Sequence, residues 1–367
     1  MEIVWLTGRN LANDLASSTE TNLVKELRLF GHDVTLVSPG KDKTNKFNND
    51  LIINKISFPG MNTLSGVRNI RKHIVNNLIH YSENTVFLVD WRYVQPLEST
   101  LKKYINKWCI IDRGPPTYGG IFNKIQKWYW RRGWEIAEES SIGGFVVSEA
   151  HKKFVIKMNN VSLKIKAIPA GSIANIHNNG KKNPNNMLKL AYLGRMDVRR
   201  DVESIFTLST KLSKAGIKHE INIYGGDSAD KSFLNLASKN NRVTIHKRID
   251  NSEIFKQLSY HHIGIMPMPD IPVWRISSPL KLAEYISSGL AIIGPKHPGN
   301  EFWGEGEWSL LSDDKEWTDG AVEKIKKYME SDWAEISQLA ISSSTNMRWS
   351  EISKIIIISL EKWTIEP

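Results

Sequence analysis

Short apolar runs recur along this chain, each followed by a segment of helical length. In the first half the runs are Ile3–Leu6, Val34–Val37, Val86–Val89, Trp108–Ile111, Phe145–Val147 and Ile165–Ile168. In the second they are Leu188–Leu193, Ile221–Tyr224, Val243–Ile245, Ile263–Met266 and Ala291–Ile293. Runs this short and rich in branched residues predict strands buried on both faces, as in parallel sheets covered by helices. Two successive series of this kind predict an α/β protein of two doubly wound, Rossmann-like domains facing a cleft. Ligand sites are then expected at the C-terminal ends of the strands. Between the series, Asn178-Asn179-Gly180-Lys181-Lys182-Asn183-Pro184 lies in a polar stretch from Ser172 to Met187 that reads as a linker and hinge. Trp349, Ile352, Ile356, Leu360 and Trp363 recur at three- and four-residue steps, which predicts an amphipathic terminal helix. The expected division is 1–172, 187–345, and a terminal helix within 346–367.

Composition narrows the class. The chain has 367 residues, enough for two domains, with 41% hydrophobic and 24% charged positions, as in soluble globular proteins. No apolar stretch approaches the ~20 residues that span a bilayer. The first strand-like run, Ile3–Leu6, has no basic leader before it, so a cytoplasmic protein is expected, at most peripheral to the inner face of the membrane. The single cysteine, Cys109, sits in the run Trp108-Cys109-Ile110-Ile111. It excludes an intrachain disulfide and reads as a small buried hydrophobe before it reads as a reactive thiol. A net charge of +10 favours anionic partners without choosing among nucleotides, nucleic acid and an acidic membrane. There is no Asp-X-Asp motif, and the ten histidines lack zinc spacing, so no metal site is expected. The pair His261-His262 reads as a strand edge.

The segment from Ser277 to Gly289 carries the most chemistry. It reads as a helix that opens at a polar cap with Pro279 in its first turn and closes at Gly289. Such an opening suits an anion, and Lys281 and Glu284 share a face near it. A surface ion pair on an ordinary capped helix is the plainer reading. Earlier, Tyr192-Leu193-Gly194-Arg195 ends a strand on glycine, and Arg195 and Arg200 follow it with the forked donors that suit phosphate. Two arginines on a solvated face would look the same. Gly225 and Gly226, after the strand Ile221–Tyr224, fit either a plain turn or a close ligand approach.

In this order, the Gly-Arg…Arg element, the strand-Gly-Gly element and Ser278-Pro279-Leu280-Lys281-Leu282-Ala283-Glu284-Tyr285 resemble the donor half of GT-B retaining glycosyltransferases of the family-four type. Gly31-His32-Asp33-Val34, Phe145-Val146-Val147-Ser148-Glu149 and Ile168-Pro169-Ala170-Gly171 match further elements of that family, so the resemblance spans nearly the whole chain. It implies a GT-B architecture whose terminal helix crosses back to the N-terminal, acceptor-side domain. It also implies metal-independent transfer, with retention, from a nucleotide-sugar donor (UDP-, GDP- or ADP-sugar) to a glycan or lipid-linked acceptor. No other cofactor is implied. Carried over by position, Arg195 and Arg200 bind the donor diphosphate, and Glu284 accepts from ribose hydroxyls. Gly194, Gly225, Lys281 and the turn Ser278, Pro279 and Leu280 lie against phosphate or sugar. Gly8 and Arg9 border the cleft.

Two departures from the family stand out. Its second glutamate, eight positions before Glu284, is Ile276 here, with Trp274 or Arg275 to fill the space. Its frequent N-domain histidine is missing from Ile111-Asp112-Arg113-Gly114-Pro115, which leaves Asp112 and Arg113 as candidates to line the reaction centre.

Basic and aromatic residues interleave from Lys124 to Trp134, on a segment that reads as a helix resting on an anionic membrane. Aromatics packed inward with cations in water is the competing reading. Two other functions stay in contention: a sugar-nucleotide epimerase or hydrolase, which needs acids converging on the sugar, and a basic nucleic-acid-binding protein. The helix-covered parallel strands disfavour the second, so no nucleic-acid partner is expected.

Overall fold

A computed structural model describes residues 1–8, 17–39, 51–53, 61–77, 80–116, 121–174, 183–249, 251–303 and 306–365. The chain divides into two compact units, Met1–Pro169 together with Trp349–Pro367, and Ala170–Arg348. Residues 175–182 of the expected linker lie outside the described residues.

The first unit is built from β1 (Glu2–Leu6), α1 (Ser17–Leu29), β2 (Asp33–Pro39), β3 (Leu51–Ile53), α2 (Met61–Asn77), β4 (Val86–Asp90), α3 (Trp91–Tyr104), β5 (Trp108–Asp112), α4 (Ile121–Ser140), β6 (Gly143–Val146), α5 (Glu149–Asn159) and β7 (Ile165–Ala167). Its sheet runs β3-β2-β1-β4-β5-β6-β7, all parallel. Every residue of β4 and β5 is buried. That is why these strands read as unbroken apolar runs: helices cover both faces of the sheet. At the edge, β7 alternates buried, exposed, buried. Helix starts follow local caps, with the Asp90 carboxylate accepting from the Arg92 N–H and Ser148 Oγ accepting from the His151 N–H.

The second unit contains β8 (Leu188–Leu193), α6 (Glu203–Lys214), β9 (His219–Tyr224), α7 (Lys231–Ser238), β10 (Val243–His246), α8 (Asn251–Leu258), β11 (Ile263–Ile265), α9 (Pro272–Arg275), α10 (Leu280–Ser287), β12 (Ala291–Ile293), α11 (Trp317–Glu330) and α12 (Trp333–Ser343). Its parallel sheet runs β10-β9-β8-β11-β12. Both orders reverse direction beside the first strand of the unit, between β1 and β4 and between β8 and β11. Such a switch point is where doubly wound sheets hold ligands.

The last helix, α13 (Trp349–Ile365), belongs to the first unit. It buries Trp349, Ile352, Ile356, Leu360 and Trp363, the stripe its spacing predicts. The Trp363 ring lies 5.0 Å from that of Phe145, over Gly143, where any Cβ would overlap the indole. This close packing explains why β6 starts two residues before the apolar run at Phe145: glycines that look like punctuation are strand residues beneath a tryptophan. Strand β3, three residues among polar neighbours, has no comparable signal. Cys109 is free and buried, and no helix among the described residues is long and apolar enough to cross a membrane.

Candidate functional site

At the C-terminal end of the second sheet, β8 and β9 approach each other through two glycines. Gly194 and Gly225 have φ of 135° and 130°, and a Cβ on Gly225 would overlap the Gly194 carbonyl oxygen. Only glycine accepts that backbone at so close an approach. Arg195 follows on an exposed loop. A short turn then carries the chain to Arg200, capped by the Asp197 carboxylate accepting from the Arg199 N–H.

Tyr192, buried on β8, organises what surrounds this turn. Its hydroxyl donates to the Arg195 carbonyl oxygen at 3.0 Å, and Arg200 bonds to the same hydroxyl. The Arg200 guanidinium stacks over Trp274 of α9 at 5.1 Å, and the Trp274 indole N–H donates to the Arg199 carbonyl at 3.1 Å. Of the two residues expected to fill the space left by Ile276, Trp274 thus packs on Arg200. Arg275 instead pairs with Asp270 at 2.7 Å, and Ile276 is buried.

Helix α10 begins one residue later than its sequence suggests. Pro279 is the cap itself, with no side-chain cap bond, and Ser278 Oγ accepts instead from the Ala170 N–H at 3.0 Å. Gly289, with φ of 66°, closes the helix as expected. Every residue from Lys281 to Ser287 is buried, so the surface ion pair does not describe Lys281 and Glu284. Lys281 Nζ lies 4.1 Å from the centre of the Tyr192 ring and has no hydrogen-bond partner. Burial pushes its pKa well below the usual lysine value, with the charge of Arg200 adding to the shift and that of Glu284 opposing it. Burial likewise lifts Glu284 to about 7, against the pull of Lys281. An ammonium taken out of water without an acceptor is costly, and an arriving anion relieves that cost. Lys281, Arg200 and Gly194 therefore gather around Tyr192, with Glu284 beside Lys281. Tyr192 itself carries no motif and escapes sequence reading; its place two residues before Gly194 on β8 is the one available hint.

In the first unit, Asp112 ends β5 with no exposed surface. Its Oδ2 accepts from the indole N–H groups of Trp130 at 2.6 Å and Trp134 at 3.1 Å. Its Oδ1 accepts from the Gly114 N–H at 2.9 Å, and His151 Nε2 lies 3.5 Å from Oδ2. Burial would raise this carboxyl, but His151 and these hydrogen bonds hold it below its ordinary value. Asp112 thus binds the β5 terminus to α4 and α5 and presents no oxygen at an open surface. His151 reaches Asp112 from α5, where the Ser148 cap holds the start of the helix, and is itself fully buried. Arg113 donates to the Ile168 carbonyl at 2.8 Å. The Gly8 N–H donates to Asp90 at 3.3 Å, and Asp90 pairs with Arg92 at 2.8 Å. Arg9 lies outside the described residues.

The interleaved helix α4 splits by face. Trp130 and Trp134 are buried on Asp112, whereas Trp128 is 55% exposed beside exposed Lys124, Ile125, Lys127 and Arg131. Among the described residues, no three His, Cys, Asp or Glu side chains gather as metal ligands.

The fold defined by these two sheets is that of GT-B glycosyltransferases. The chain matches sucrose-phosphate synthase from Thermosynechococcus elongatus with a TM-score of 0.77 at 12% identity, over 100% of both chains. It matches the pneumococcal O-GlcNAc transferase GtfA in complex with UDP and GlcNAc at 0.75 and 10% identity, over 99% of both. Anabaena HepE in complex with UDP-glucose matches at 0.71 and 11% identity, over 99% of this chain and 100% of that one. No protein-family model matches the sequence, and neither does any curated protein. At these identities the likeness is one of fold.

Proposed function

We propose that this protein is a retaining, metal-independent glycosyltransferase of the family-four type, moving a sugar from a nucleotide-sugar donor to a glycan or lipid-linked acceptor. The observation that carries this reading is the buried Lys281 side-chain nitrogen without a hydrogen-bond partner, next to Arg200, Glu284 and the Gly194 backbone. The second unit takes the donor and the first takes the acceptor. Departure of the nucleoside diphosphate is the hard step, and Lys281, Arg200 and Arg195 meet the negative charge that develops on it. Glu284 accepts from the ribose hydroxyls. Fold neighbours crystallised with UDP or UDP-glucose support a nucleotide-sugar ligand. Asp112 and Arg113 act on the reaction by shaping the loop after β5, since their polar groups are engaged within the first unit. The epimerase or hydrolase alternative needs several acids converging on the sugar; of the acids near the group around Tyr192, Glu284 lies buried beside Lys281 and Asp197 is tied to Arg199.

In this reading the enzyme works in the cytoplasm at the inner face of the cell membrane. The exposed face of α4 (Lys124, Ile125, Lys127, Trp128 and Arg131) rests there on anionic lipid.

The test is a thermal-shift screen with UDP, GDP, ADP and single-stranded DNA, followed by a donor screen for released nucleoside diphosphate. One nucleoside diphosphate should raise the melting temperature of the wild type and leave Arg200→Ala and Glu284→Ala unmoved. A response to DNA alone, or to no nucleotide at all, rejects the proposal.

A further inference from the structure

The first unit carries a second feature that glycosyl transfer does not use. Along the free side of edge strand β7 runs an open groove of about 680 Å³, flanked by α5 and α13. Four lysines line it, Lys152, Lys164, Lys166 and Lys362, and no carboxylate does. Among the described residues, Lys152, Lys166 and Lys362 form no ion pair. Between them the lining is apolar: Ile156 is 39% exposed and Ile358 63%, with Ile355 and the edge of Trp363 beneath.

Helix α13 explains this chemistry. Its first stripe, from Trp349 to Trp363, is spent on the core. A second set at Ile355, Ile358, Lys362 and Ile365 keeps the same three- and four-residue steps and points outward, with Ile365 80% exposed. A helix that has already paired its core face gains nothing in water from a second row of isoleucines. Lysines on an edge strand often serve only to discourage strand pairing. That role accounts for Lys166, but not for Lys152 and Lys362, which sit on the helices, nor for the exposed isoleucines.

From this arrangement we infer that the groove binds an anionic phospholipid of a bilayer surface, its phosphate among the lysines and the upper part of an acyl chain against Ile156, Ile355 and Ile358. Charge complementarity commits the choice. A cationic rim over an apolar floor matches a headgroup over a chain, and a protein of net charge +10 is drawn to an acidic leaflet. This contact is distinct from the one proposed for α4 and does not depend on the donor site.

The test is flotation of the full chain with vesicles of phosphatidylcholine alone or mixed with phosphatidylglycerol. The wild type should float with the anionic vesicles only. Lys152→Gln/Lys166→Gln/Lys362→Gln should lower partition about 100-fold, at about fivefold per lysine. Ile358→Glu, at an exposed position that leaves folding unaffected, should lower it as well. As a second measurement, Ile358→Cys carrying an environment-sensitive dye reports insertion, since the native Cys109 is buried. Its emission should shift to the blue on anionic vesicles. Any of three results overturns the inference: no flotation of the wild type, loss of flotation in Lys124→Gln/Lys127→Gln/Trp128→Ala with none in the groove variants, or binding of an acidic peptide in place of vesicles. A UDP thermal shift on the same variants reads the donor site separately, so failure here and failure of the transferase proposal are distinguishable.

Discussion

Both sheets bury a charged group near the C-terminal end of a central strand, and the two groups are treated in opposite ways. Asp112 in the first unit is surrounded by donors, two indoles and a backbone N–H, with His151 Nε2 3.5 Å away. Lys281 in the second unit has the face of Tyr192 and no acceptor. A buried charge whose hydrogen bonds are complete is part of the architecture, because removing it strands its partners. A buried charge left without an acceptor weakens the fold on its own and makes sense when a ligand completes it. The contrast separates a carboxylate whose donors are in place from a cation that lacks an acceptor, a difference that residue type alone does not show.

The sharpest way to break this comparison is Asp112→Ala. It leaves two buried indole N–H groups without their acceptor, and a loss of about 3–5 kcal/mol in urea unfolding is expected. A loss below 1 kcal/mol would put Asp112 outside the architecture. Next in size is the pH dependence set by Glu284. Its pKa rises from 4.5 to about 7 on folding, so the folded chain holds that proton more tightly than the unfolded chain. The stabilising contribution is complete below about pH 4.5 and is lost as pH rises through about 7, an effect of up to about 3 kcal/mol. Stability measured at several pH values for wild type and Glu284→Gln should diverge across that window, the wild type losing ground as pH rises. Parallel curves would mean that Glu284 is hydrated.

Lys281→Met should stabilise the ligand-free protein by about 1–3 kcal/mol, because a buried amino group lacking an acceptor is replaced by a side chain suited to burial. The same variant should lose its thermal response to the nucleotide, and destabilisation would show that Lys281 is structural like Asp112. Smallest is the pair on α4. Trp130→Phe removes the 2.6 Å bond to Asp112 and should cost about 1–2 kcal/mol, whereas Trp128→Phe, on the exposed face, should change stability by less than about 0.5 kcal/mol.

Much of the architecture is legible in the residues themselves. Strands buried on both faces, such as β4 and β5, have to be apolar throughout and so appear as runs, and the stripe of α13 shows its core face directly. Gly194 and Gly225 are legible for a related reason: their backbone conformations admit little else. The motif around Lys281 and Glu284 also points to the site proposed above, though not to its environment. A surface ion pair and a buried, incompletely paired one have the same spacing.

Position along the chain determined which residues share a strand or a helical face, since those relations are local and periodic. Tertiary structure alone decided burial and partnership. It set Tyr192 beneath Lys281 and Trp274 against Arg200, brought His151 from α5 to Asp112, and divided the tryptophans of α4 between core and solvent. Each of these contacts joins residues on different elements, or faces of one helix that look alike in sequence. Their energies depend on which groups lose water, and no local pattern records that loss.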